Sequence, residues 1–104
     1  MEGTGLSEKT IAVIQQVLAH YPFVDEAILY GSRALGRHRN GSDIDLTLKG
    51  KPPLADKLNA IIQELDELML PYQIDLSVFD EIENPDLVDH ITQVGRTLYA
   101  RSPR

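Results

Sequence analysis

Residues 29–48 read LYGSRALGRHRNGSDIDLTL, and the segment changes character twice. It opens on the end of an apolar run, Ala27 to Tyr30, of the kind expected for a strand covered on both sides, so residues 23–30 are read as a first strand. From Gly31 to Ser42 the chain is rich in Gly, Arg and Asn. Asp43, Ile44, Asp45, Leu46, Thr47 and Leu48 then alternate strictly, which marks a second strand.

Working outward, Ser7 is a natural N-cap for a helix over 7–20 that puts Ile11, Ile14, Val17 and Leu18 on one face, and Pro22 closes it. Pro52 and Pro53 open a long amphipathic helix carrying Leu54, Leu58, Ile61, Ile62, Leu65 and Met69, with Pro71 past its end. A third alternating segment runs from Gln73 to Phe79. Asn84 and Pro85 then start a short helix with Leu87, Ile91 and Val94 inward, and Gly95 is its stop. The order αβ, loop, βαβα predicts an α+β fold, a mixed β-sheet with flanking helices. The whole of 1–104 is expected to form a single domain, with its ends, 1–5 and 101–104, flexible.

Side chains alternate along a strand, so Asp43 and Asp45 emerge on one face while Ile44 and Leu46 enter the core. The third strand repeats the phase: Ile74, Leu76 and Val78 are its apolar set, leaving Asp75 and Ser77 on the polar side. If the strands are neighbours, Asp75 faces the aspartate pair. Carboxylates crowded together repel, and the usual remedies are solvent, a raised pKa or a hard cation held through oxygen. A D-x-D by itself is most often a solvated strand face. Here it follows a Gly31-Ser32 turn, whose N–H groups and hydroxyl can cradle phosphate oxygens, and the arginines Arg33, Arg37 and Arg39.

Bulk composition narrows the function classes. The chain carries a net charge of −6, which disfavours extended nucleic-acid binding while leaving room for a local basic cluster that serves one triphosphate. Without cysteine there are no zinc-thiolate sites or thiol nucleophiles, so any metal is held by oxygen or by the three histidines. No apolar run approaches the roughly 20 residues that span a bilayer, and the N-terminus has no signal-peptide pattern, so no membrane association and a cytoplasmic location are expected.

Gly31-Ser32, ten residues, then Asp43-x-Asp45 resembles the signature of the polymerase-β-like nucleotidyltransferase superfamily; Arg33-Ala34-Leu35-Gly36 and Ser42 also match, and Ile74-Asp75-Leu76 resembles its third acidic strand. In length the chain is similar to the minimal nucleotidyltransferases, catalytic domains commonly paired with a helical HEPN protein as antitoxin and toxin. The resemblance implies that Asp43, Asp45 and Asp75 bind metal and catalyse, with Mg²⁺ as the cofactor in two sites, and that Asp75 helps deprotonate the incoming hydroxyl. It implies that Gly31, Ser32, Arg33 and Ser42 bind the nucleotide, and that ATP and a HEPN-type protein are the partners. Many relatives carry Arg where this chain has Leu35.

The expected function is metal-dependent transfer of AMP from ATP to a hydroxyl, a tyrosine of the HEPN toxin, with the partner completing the cleft. The alternatives are a non-catalytic antitoxin that masks its partner and a transferase acting on a small-molecule hydroxyl. Arg33 either stabilises charge as pyrophosphate leaves or forms a salt bridge to an acid. His38 either touches phosphate or is a solvated loop histidine, His20 and His90 lack metal-ligand spacing, and none of the three receives a role; Tyr30 either stacks near a base or belongs to the core. Leu68 and Leu70 belong either to the core or to a homo- or hetero-oligomer interface.

Overall fold

The structure, a computed structural model, describes residues 1–101. Its elements run α1 (Glu8–Ala19), β1 (Val24–Tyr30), α2 (Gly31–Ala34), β2 (Ile44–Gly50), α3 (Leu54–Asp66), β3 (Ile74–Val78), a 3₁₀ turn (Phe79–Glu81), α4 (Pro85–Val94) and β4 (Arg96–Ala100). The caps expected from sequence are in place: Ser7 Oγ accepts from the Thr10 N–H at 3.1 Å, and Asn84 Oδ1 accepts from the N–H groups of Asp86 and Leu87.

The four strands lie in the order β3-β2-β1-β4. β1 is antiparallel to β2 and β4, whereas β2 and β3 are parallel, so the sheet is mixed. A parallel pair cannot be closed by a tight turn, and α3 is the crossover that joins β2 to β3. One sheet face buries the main core, where Ile14 and Leu18 from α1 and Ile61 and Leu65 from α3 pack on Leu29, Leu46 and Leu48. Leu68 and Leu70 pack against this core too, while Met69 between them is 86% exposed. The opposite face is partly covered by α4, whose Ile91 forms a smaller cluster with Ile28 and Tyr30. β1 is therefore buried on both sides, which accounts for its unbroken apolar run.

Two elements depart from the sequence reading. Arg96–Ala100 forms β4 immediately after Gly95, and only Leu98 of its five residues is buried, so its pattern is too weak to mark a strand. Gly31–Ala34, read as loop, is a single helical turn. The N-terminal residues expected to be flexible are in part docked: Thr4 is fully buried and Leu6 joins the core. The reason is Arg33, whose Nη1 donates to the Thr4 carbonyl at 2.7 Å. At the other end Arg101 is tied to the carbonyls of Asp25 and Tyr21; residues 102–104 of the end expected to be loose lie outside the described residues.

Candidate active site

In the parallel register of β2 and β3, Asp45 stands opposite Asp75 and Thr47 opposite Ser77. In the antiparallel register of β1 and β2, Tyr30 stands opposite Asp45. Residues paired across a ladder share a face, so Tyr30, Asp45 and Asp75 form a row across three strands on the side away from the main core. Asp43 precedes β2, two residues from Asp45, and is exposed. Beyond this row Ser77 Oγ donates to Thr47 Oγ1 at 2.9 Å, which satisfies a hydroxyl that is otherwise fully buried.

The electrostatics of the row are those of unbalanced negative charge. Burial pushes the Asp45 carboxyl above its ordinary range, the charges of Asp75 and Asp43 push it further, and His90 partly offsets them. Burial likewise raises the Tyr30 phenol, with Asp45 and Asp75 adding to the effect and a hydrogen bond with Ser77 opposing it.

Gly31 ends β1 and starts α2 with φ at +78°, and a Cβ there would lie 2.3 Å from Asp45 Oδ2. The backbone of the Gly31-Ser32 turn therefore lies directly against the carboxylate, a contact that glycine alone permits. Ser32 follows in the first turn of α2, half-buried. The backbone of the Gly31-Ser32 turn and the acidic strand meet at this point.

Arg33 is held by the main chain. It is 2% exposed, its Nε and Nη2 both donate to the Ser42 carbonyl at 3.1 and 2.9 Å, and its guanidinium lies 4.6 Å from the centre of the Tyr72 ring. Among the described residues no acid pairs with it, so the salt-bridge alternative does not describe it; its guanidinium is held by the main-chain carbonyls of Thr4 and Ser42. Ser42 serves the same loop through its hydroxyl, which accepts from the Arg39 N–H at 2.8 Å.

His90, left without a role on sequence, is at the site: its Nε2 accepts from the Gly31 N–H at 3.1 Å and its ring meets Tyr30 edge-on at 6.2 Å. The signal was available, because His90 sits three residues after Leu87 and one before Ile91 on the inward stripe of α4. Tyr30 resolves as core, buried beside Ile28 and Ile91. Leu35 is 42% exposed at the end of α2.

Among the described residues no group of three Asp, Glu, His or Cys side chains is close enough to form a ready-made metal cage. The donor chemistry nevertheless fits a small hard cation. Mg²⁺ is commonly held by one or two carboxylates with substrate phosphates completing its shell, and Asp45 and Asp75 offer carboxylate oxygens beside the Gly31-Ser32 turn.

Known proteins with this architecture were found by structure. A chain of a toxin-antitoxin complex with AMP-PNP superposes with a TM-score of 0.65 at 20% identity, over 93% of this chain and 76% of that one. A chain of the complex between the tri-AMPylated Shewanella oneidensis HEPN toxin and its MNT antitoxin gives 0.64 at 17% identity, over 92% and 74%. The MntA-HepT toxin-antitoxin complex gives 0.64 at 17%, over 91% and 74%. At these identities the likeness is one of fold. No curated protein matches the sequence. The family model described as "Polymerase beta, Nucleotidyltransferase" matches residues 12–104, which takes in the glycine turn and every acid of the row behind it, and the chain belongs to that family.

Proposed function

We propose that this protein is a metal-dependent nucleotidyltransferase that moves AMP from ATP onto a hydroxyl, a tyrosine, of a HEPN-type partner and so acts as its antitoxin. The observation that carries the transfer chemistry is the Asp45–Asp75 register, with the Gly31 backbone pressed against Asp45. Asp43, Asp45 and Asp75 would hold Mg²⁺, in two sites; when bound, the metal neutralises phosphate charge and steadies the attacking and leaving oxygens. Gly31 and Ser32 would hold the β and γ phosphates through the α2 turn. Asp75, the more exposed strand carboxylate, would take the acceptor proton as the hydroxyl oxygen bonds to the α phosphorus and pyrophosphate departs. Arg33 and Ser42 would contribute by fixing the loop that presents Asp43. The partner reading is supported by the fold shared with chains of toxin-antitoxin complexes, one of them between an AMPylated HEPN toxin and an MNT antitoxin.

The test is incubation with Mg²⁺, α-labelled ATP and the protein encoded beside it. A gain of AMP mass on the partner, absent with Asp43→Asn/Asp45→Asn, supports the proposal; a stable complex with no transfer sinks it. A second reading, a non-catalytic antitoxin that masks its partner, draws on the lack of a ready-made three-ligand cage among the described residues. It requires the same double variant to neutralise the partner fully, so loss of neutralisation with binding retained would eliminate it.

A further inference from the structure

Arg33 is a fully buried cation whose partners are two main-chain carbonyls and one aromatic face, with no acid paired to it among the described residues. Burying a charge without a counter-ion is costly, and such a charge attracts an anion wherever one can approach. An approach exists. A pocket of about 270 Å³ opens over Arg33, walled by Gly5, His38, Arg39, Asn40 and Tyr72; no acidic residue lines it, and neither do Gly31, Ser32, Asp43, Asp45 or Asp75. His38 packs edge-on against Gly5, and its Nδ1 is buried with no hydrogen-bond partner. In a chain of net charge −6, this pocket brings Arg33, His38 and Arg39 together.

We propose that this pocket is a second anion site, separate from the carboxylate row, which takes a small phosphate-bearing molecule. Arg39 donates to the phosphate oxygens, His38 forms part of the wall, and the Arg33 charge beneath supplies the field. A polyanion is disfavoured because the acidic remainder of the surface would repel it, whereas the pocket volume admits a phosphate with a modest organic group. Occupancy would also tie down the wall at Gly5, because Arg33 already holds the carbonyl of Thr4 just before it.

The test is NMR titration of the labelled full chain in EDTA, so that no metal-dependent binding at the aspartates contributes, with inorganic phosphate, AMP, adenosine and a 5′-phosphorylated oligonucleotide as probes. Phosphate and AMP should shift the signals of Gly5, His38, Arg39 and the Arg33 Nε–H, with Kd about 1 mM or tighter. Arg39→Ala should weaken binding at least about tenfold, while Arg37→Ala, on the same loop but outside the pocket, should change it less than about twofold. Arg39 is exposed and anchors the loop through its backbone N–H, so the variant should keep the fold. The proposal is overturned by no shifts at about 10 mM phosphate, by shifts centred on Gly31 and Ser32, by equal loss in the Arg37 variant, or by adenosine matching AMP. Tighter binding of the oligonucleotide than of AMP would overturn the small-ligand assignment.

Discussion

Replacing Gly31 with alanine tests the contact on which the site is built. Two costs are separable. The backbone sits at φ +78°, where a residue with a Cβ costs about 1–2 kcal/mol. The new methyl would also start 2.3 Å from Asp45 Oδ2, and turning that side chain off its preferred rotamer costs about 1 kcal/mol more. Gly31→Ala should therefore lose about 2–3 kcal/mol, or about 10–20 °C in Tm for a domain of this size. In an Asp45→Ala background the clash disappears while the backbone cost remains, so the same change should cost only about 1–2 kcal/mol, a coupling of about 1 kcal/mol. Urea denaturation of the four proteins of this cycle measures both terms. Equal costs in the two backgrounds would show that Gly31 does not press on Asp45, and a total loss below about 0.5 kcal/mol would show that the left-handed backbone is not needed.

Asp45→Asn should abolish nucleotidyl transfer and raise stability at pH 7. An acid whose pKa is raised in the fold opposes folding when ionised, so the stability gap to the parent should close as the pH falls through the raised folded pKa; a gap constant with pH would contradict this. Arg33→Ala leaves the Thr4 and Ser42 carbonyls without their donors in a buried setting and should cost about 3–5 kcal/mol, with Arg33→Lys recovering only part; a loss under about 1 kcal/mol in urea titrations would show the clamp to be dispensable. The α1–α3 tie should carry its own pH signature. Glu64 accepts from the Tyr21 hydroxyl at 2.6 Å, which lowers the Glu64 pKa and, with burial, pushes the Tyr21 phenol up to about 12. Its stabilisation should be present between the ordinary values of the two groups, fade as pH falls through the lowered carboxyl pKa, and fade again as pH rises toward 12. Tyr21→Phe should remove the alkaline limb and shrink the acid one, of which the His20 contact with Glu64 keeps a part, and stability measured against pH in parent and variant would reveal both changes.

How far the sequence could be read depended on how periodic each segment was. Asp43–Leu48 and Ile74–Val78 alternate because one face of each strand must enter the core, and that phase alone brought Asp45 and Asp75 to one side of the sheet. The helices were legible because Ser7 and Asn84 cap them and their apolar stripes are long. β4 was not, since an edge strand with a single buried residue has little pattern to show. The burial of Arg33 was not legible for a related reason: no local feature of the sequence announces that carbonyls at residues 4 and 42 will converge on it. The position of His90 on the inward stripe of α4 was legible, but its partner, the backbone N–H at position 31, is fixed only when α4 folds onto the sheet.

Because the acids are matched by a ladder whose side chains repeat every second residue, the parallel register also governs which insertions and deletions the chain can survive. A single residue added between Tyr72 and Ile74 without local accommodation would shift β3 by one place against β2 and send Asp75 to the core face, removing a carboxylate from the site and burying it among leucines. The exposed loop around Asn40 and Gly41 lies before the ladder and can change length without moving either aspartate along it. Length variation among descendants of this sequence should accordingly collect near Asn40 and be almost absent from the approach to β3.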